Sequence, residues 1–187
     1  MKRTVLALML SAAAVSAQAS DLDYNYVQGS YKNGDIEGVD VDGFGVNGSF
    51  KFSDSFYGLV SYDKLSDSGV DFAETAVGVG FRHGISDKSD WVSELSYVRD
   101  SADLGFFDVS DNGYRVATGV RSMVSDKVEL NGKVNYTNIS DFGNGFGASL
   151  GGVYHVNDSF GITASYDFSD RDGDNLKSWN LGARFSF

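Results

Sequence analysis

Alternation with a period of two dominates this chain. Phe44, Val46, Gly48, Phe50 and Phe52 alternate with Gly45, Asn47, Ser49 and Lys51. Val128, Leu130, Gly132, Val134 and Tyr136 alternate in the same way with Glu129, Asn131, Lys133 and Asn135. The pattern recurs with Phe160, Ile162, Ala164, Tyr166 and Phe168 against Gly161, Thr163, Ser165 and Asp167. It returns with Trp179, Leu181, Ala183, Phe185 and Phe187 against Ser178, Asn180, Gly182, Arg184 and Ser186. Residues i and i+2 of a strand share a face, so each segment reads as a β-strand with one apolar face and one small or polar face. A slip of one residue would turn the charges outward, which specifies the register.

Weaker runs over 23–31, 56–63, 72–82, 91–99, 114–123 and 145–155 read as further strands. In 72–82, Val77, Val79 and Phe81 share the apolar face, and Ala76, Gly78, Gly80 and Arg82 the other. The run 23–31 is ambiguous, because Tyr24 and Tyr26 oppose Val27 and Tyr31 in parity. The total is about ten strands, with eight as the alternative count, each near the ~9–11 residues that cross a tilted bilayer.

The connections alternate in character. One set is short and self-similar: Ser53-Asp54-Ser55, Ser86-Asp87-Lys88, Ser125-Asp126-Lys127 and Asn157-Asp158-Ser159. Asp and Asn bond their own backbone in tight turns. The other set, 32–40, 64–71, 100–112, 137–144 and 169–175, is longer and acidic. Short turns at one end and longer loops at the other are the asymmetry of bacterial transmembrane barrels. An even strand count places both termini on the short-turn, periplasmic side. Aromatics gather near both strand ends: Phe52, Phe56, Trp91, Phe160, Phe185 and Phe187 by the short turns, and Tyr31, Tyr62, Tyr97, Tyr114, Tyr136 and Phe168 by the long loops. Two such bands are what interfacial girdles require. The expected fold is therefore an all-β, transmembrane, antiparallel up-and-down barrel. A secreted β-sandwich or lipocalin-like barrel also alternates, but it would bury the aromatic face.

Composition sharpens this picture. Lys2 and Arg3, the apolar run 5–15 and Ala17-Gln18-Ala19 form the three regions of a secretory signal peptide. Residues 1–19 are expected to be removed, with cleavage after Ala17 as the alternative, leaving 20–187 as one barrel domain. The apolar run is too short to span a bilayer. A formal net charge of −11 lacks the basic footprint of a nucleic-acid-binding protein. The chain has no cysteine, so neither disulfides nor thiolate chemistry are available. It has no proline either, which suits continuous ladders. A mean hydropathy of −0.20 is uninformative here, since barrel strands average lipid-facing and lumen-facing residues.

The tail 180–187, with Asn180, Gly182, Phe185 and Phe187, resembles the signal by which the barrel-assembly machinery recognises outer-membrane proteins. Beyond it, Tyr24-Asn25-Tyr26-Val27, the stretch 42–49, Val77-Gly78-Val79-Gly80-Phe81 and the stretch 113–121 resemble small Gram-negative outer-membrane β-barrel proteins of OmpX- and OmpA-like layout. More narrowly, they are similar to the outer-membrane family once proposed as signals or plant-immunity elicitors in xanthomonads. The resemblance implies location and fold. Its implied partners are outer-membrane lipid, lipopolysaccharide and, during biogenesis, the assembly machinery.

Candidate chemistry lies in the inward charges. Lys51, Arg82, Arg121 and Arg184 fall near the short turns or the C-terminus and are expected to form a basic tier, with Glu94 and Glu129 at similar depth to pair with them. Arg115 is expected to face Glu74 and Asp167 nearer the outer end, with Lys133 more central. A desolvated charge needs a partner, so a salt-bridged plug is one reading. The other is a narrow hydrophilic channel for ions or small solutes, with space left by inward Gly45, Gly78, Gly80, Gly119, Gly147, Gly151, Gly161 and Gly182. A secreted soluble signal or effector is the third. Proteolysis needs a positioned general base, and only His83 and His155 are available, both beside short turns. The stretch 170–175 partly imitates a calcium loop, but its glycine comes too early and no distal Glu follows. It is expected to be a solvated tip, with weak divalent-cation binding as the alternative. No phosphate-binding glycine loop precedes a helix, so no cofactor is expected.

Overall fold

In the computed structural model, the described residues are 22–187 except 37, 68–69, 104–107, 141 and 173. The signal-peptide reading of residues 1–19 lies outside them. Ten strands follow one another: β1 (Tyr26–Ile36), β2 (Val39–Lys51), β3 (Phe56–Asp67), β4 (Val70–Ser86), β5 (Ser89–Asp103), β6 (Asp108–Ser125), β7 (Val128–Ile139), β8 (Gly143–His155), β9 (Phe160–Arg171) and β10 (Asp174–Ser186). Each pairs antiparallel with its neighbours, and β1 pairs with β10 from Tyr26↔Ser186 to Ile36↔Leu176. The sheet is thus closed and has no free edge. Ten is the count, not the alternative eight.

Closure forces every strand to divide its side chains between a lumen and an outer face. The apolar parity faces out. Trp179 and Leu181 of β10, Phe146 and Leu150 of β8, and Val77 and Val79 of β4 all stand more than half exposed. The outward aromatics form two belts. Near the short turns Phe52 lies 6.0 Å from Phe50 and 6.4 Å from Phe56, whose ring is 5.4 Å from Phe81. At the other end Tyr136 lies 6.5 Å from Tyr114 and 5.1 Å from Phe146, and Phe44 lies 6.0 Å from Tyr62. A soluble sandwich or lipocalin-like barrel would bury these rings, so that alternative fails.

Three sequence expectations need correction. The strands run to 17 residues in β4 and 18 in β6, well beyond the span of the bilayer. They carry the ladder through most of 32–40, 64–71, 100–112, 137–144 and 169–175, so these are extended hairpins with small tips. Polar residues such as outward Lys64 and Asp71 and inward Asp100 stand on both faces there, which interrupts the alternation without ending the hydrogen bonding. In the short turns, the bonding side chain is the first residue rather than the aspartate. Ser53 Oγ accepts from the Phe56 N–H at 3.0 Å, Asn157 Oδ1 from Phe160 N–H at 2.9 Å, while Ser86 and Ser125 accept from Lys88 and Lys127. Asp54 and Asp126 project into solvent and meet only Lys51 and Lys88. Finally, β1 starts at Tyr26, not at residue 23, and Val27 and Tyr31 face out. Tyr24 and Tyr26 turn inward, which settles the parity that the sequence left ambiguous.

Candidate functional site: the charged lumen and its stopper

The lumen is packed in layers, and the first layer sits at the short-turn end. Residues 22–25 precede β1 and fold up into the barrel mouth. Tyr24 is 1% exposed, with Leu22, Tyr57 and Val92 buried around it and Leu59 and Met123 packed alongside. The Tyr24 and Tyr57 rings are 4.7 Å apart. The guanidinium of Arg82 stands 4.8 Å from the Tyr24 ring centroid, and that of Arg121 stands 4.3 Å from it. Cations over an aromatic face are attracted by its quadrupole, most strongly when desolvated. The Tyr24 hydroxyl donates to Asp90 at 2.8 Å, and Arg82 reaches the same Asp90 oxygen at 3.5 Å.

Of the residues expected to form a basic tier, Arg82, Arg121 and Arg184 converge here. Glu129 accepts from Arg121 Nε at 2.8 Å and Nη2 at 3.0 Å, a bidentate pair of the strong geometry. Arg184 reaches Glu129 at 3.4 Å, donates to Gln28 at 3.0 Å and covers Tyr26 at 4.0 Å. His155, read as solvated, turns inward to 3.9 Å from Glu129. Two tier residues depart from expectation. Lys51 lies at the rim against Asp54, 3.4 Å away, because its strand ends there. Glu94 sits a layer higher, accepting from Lys133 and from the Tyr57 hydroxyl, both at 2.7 Å.

A polar chamber of about 280 Å³ lies above this layer. Its floor includes Tyr26, Tyr57, Glu94 and Arg184, and its walls include Asn131 and Ser149. A third layer lies toward the long hairpins. Lys32 pairs with Asp63 at 2.7 Å. Glu74 accepts from both Arg115 and Arg171, the latter at 3.0 Å, and Arg171 also pairs with Asp100. Arg115 meets Glu74 but not Asp167, and its Nε donates to Thr137 at 2.9 Å. Asp167 instead accepts from Asn180, which also donates to Ser165 at 3.0 Å.

The inward glycines do not leave open space. A Cβ on Gly80 would lie 2.1 Å from the Tyr57 ring, and one on Gly45 would lie 2.2 Å from Asp63. On Gly119 it would lie 2.1 Å from the Gly132 carbonyl and 2.8 Å from the Lys133 side chain. Their missing side chains are the room into which neighbouring long side chains fold. Gly182, like Gly119, meets the neighbouring backbone: its Cβ would stand 2.2 Å from the Gly29 carbonyl, across the β1–β10 seam. Asn180 and Gly182 point inward, whereas Phe185 and Phe187 face out, at 56% and 68% exposure.

The sequence reading missed Tyr24, Asp90, Arg171 and the Lys32–Asp63 pair as site residues. Tyr24 carried a signal, namely its opposite parity to Val27. Asp90 and Arg171 lie beside turns, where a charge reads as solvated. Among the described residues, no group of three or more His, Asp or Glu is arranged to hold a metal ion. The 170–175 stretch lies only partly within them. There Asp172 accepts from the Asn144 N–H at 3.2 Å, and Arg171 folds into the lumen.

A closed antiparallel sheet, an apolar outer face between two aromatic belts and a lumen of paired charges define a membrane-spanning β-barrel. In hydrocarbon every backbone polar group must find a partner within the protein, and a closed barrel satisfies this. No family model and no curated protein matches the chain, so the narrower xanthomonad resemblance gains no support there. Among solved structures the chain is similar to the NanC porin, at 14% identity over 87% of this chain and 100% of that one, TM-score 0.48. The KdgM porin is similar at 10% identity, 86% and 99% coverage and TM-score 0.48. Ail, the attachment invasion locus protein of Yersinia pestis, is similar at 16% identity, 88% and 97% coverage and TM-score 0.42. These distant similarities are of fold alone.

Proposed function

We propose that this protein is an integral outer-membrane β-barrel with a structural or surface-interaction role in the cell envelope, its short turns in the periplasm and its extended hairpins outside. The observation that carries this reading is the filled mouth. Tyr24, Arg82, Asp90, Arg121, Glu129 and Arg184 occupy the lumen at the short-turn end as a mutually bonded layer. On this reading the layer blocks the lumen, and the surfaces left for function are the lipid-facing wall and the acidic hairpin tips. Those tips stand at the level of lipopolysaccharide, to which divalent cations would bridge them. The outward aromatics of β10 are the surface we assign to recognition by the barrel-assembly machinery.

Planar-bilayer recording tests the role: purified protein is expected to insert without sustained conductance. A steady open level would favour the second reading, a narrow pore, for which the chamber of about 280 Å³ is the supporting feature. Location is tested separately. The protein is expected in outer-membrane extracts with heat-modifiable gel migration, and recovery in the soluble fraction alone would remove the proposal.

A further inference from the structure

We infer that residues 22–25 are a latched, displaceable stopper, which closes the short-turn mouth over the polar chamber. The inference rests on the closed-barrel reading and adds a movable part to it. Every other element of the wall is held on both sides by a full ladder. This segment is not: it is held by side chains from the wall and by single backbone contacts.

Its hold falls into two parts. The latch is at the tip. Tyr24 is gripped between Arg82 and Arg121, its hydroxyl donates to Asp90 at 2.8 Å, and Leu22 packs in the same cluster. Arg121 Nη2 also donates to the Asp23 carbonyl at 3.0 Å, and Arg82 to the Leu22 carbonyl at 3.5 Å. The pivot is Asn25, whose side-chain oxygen accepts from Lys51 N–H at 2.8 Å and whose carbonyl accepts from Phe187 N–H at 3.1 Å. Those bonds tie it to β2 and to the residue after β10, so the segment can swing at Asn25 without unpairing β1.

The wall keeps partners when the segment leaves. Arg121 retains its bidentate bond to Glu129, Arg82 retains Asp90, and Arg184 retains Glu129 and Gln28. Here the guanidinium groups that clamp Tyr24 already have carboxylates of their own. The chamber above is walled independently, by pairs such as Lys133–Glu94 and Lys32–Asp63.

The absence of cysteine makes the test direct. Ser149 lines the chamber, and Ser149→Cys places the only thiol of the chain there. A membrane-impermeant charged thiol reagent is supplied on the short-turn side of oriented proteoliposomes. The Ser149→Cys protein is expected to react slowly, and adding Tyr24→Ala is expected to raise the rate at least tenfold. Tyr24→Phe keeps the ring between the arginines but removes the bond to Asp90, and is expected to give a smaller rise. Heat-modifiable migration confirms that each variant is folded. Equal rates in all three folded proteins, whether slow or fast, would overturn the stopper. Sustained conductance of the unaltered protein would instead strike at the non-conducting, filled-mouth reading, so the two failures are distinguishable.

Discussion

At the scale of the residue, the inward parity of the lumen charges was legible and their pairing only in part. Arg82, Arg121 and Arg184 announce themselves by inward parity near a turn, yet parity says nothing about which carboxylate each reaches across the barrel. That choice is made by height, which depends on strand tilt and on how far a side chain extends. Glu129 is the outcome with the largest consequence, because two guanidinium groups depend on it. Replacing one member of a buried pair leaves an uncompensated charge, at a cost of about 3–5 kcal/mol. Glu129→Ala is therefore expected to lower the urea midpoint of the micelle-folded protein far more than Asp54→Ala, whose carboxylate is exposed. The inward glycines make a second prediction of the same kind. Gly80→Ala drives a methyl into the Tyr57 ring, whereas Gly29→Ala, on the outward face, meets nothing within 4 Å. The first is expected to destabilise by ~1–3 kcal/mol, as overpacking does, and the second to leave the midpoint nearly unchanged.

At the scale of the element, the alternating runs located all ten strands, because hydrocarbon outside and polar side chains inside impose opposite demands on successive residues. That constraint ends where the strand leaves the membrane. Beyond Tyr62, for example, Lys64 and Asp71 form an outward cross-strand pair at 2.6 Å, and the β3–β4 ladder still continues to Asp67↔Val70. The sequence pattern there is that of a polar loop, yet the ladder runs on through Lys64↔Ala73, Leu65↔Phe72, Ser66↔Asp71 and Asp67↔Val70. Hydrogen bonds from Lys64 and Ser66 hold the Asp71 carboxyl below its ordinary value. A carboxylate with a depressed folded value contributes above its unfolded value and loses that contribution as pH falls through the folded one. Carboxyl NMR is thus expected to show Asp71 titrating below the free-aspartate range, with hairpin-tip exchange quickening only once it does. Residues 22–25 mark the other limit of legibility. They are too short for a periodic signal, and their role follows from a cavity that only the closed sheet creates.

At the scale of the whole molecule, the fold depends on one non-local event, the meeting of β1 and β10. All other strand pairs join neighbours in sequence, but this one spans the whole domain, from Tyr26↔Ser186 to Ile36↔Leu176. Bringing such distant segments together carries the largest loop-closure cost in the barrel. Side chains that obstruct the seam should therefore act on closure rather than on any single hairpin. Gly182 is the sensitive point, since its Cβ would stand 2.2 Å from the Gly29 carbonyl and 2.9 Å from the Ser30 Cα. Its neighbour Ala183 faces the lipid and pairs with Gly29. Gly182→Val is expected to reduce or abolish the compact, heat-modifiable species on refolding into lipid vesicles, while Ala183→Val retains it. Both substitutions add a β-branched side chain to the same strand, so β-propensity favours both; Gly182 differs in facing the lumen and in the close approach of the β1 backbone. Normal refolding of Gly182→Val would mean that the seam tolerates a wider separation than the register describes, and that closure is set by the lipid-facing contacts of β1 and β10 instead.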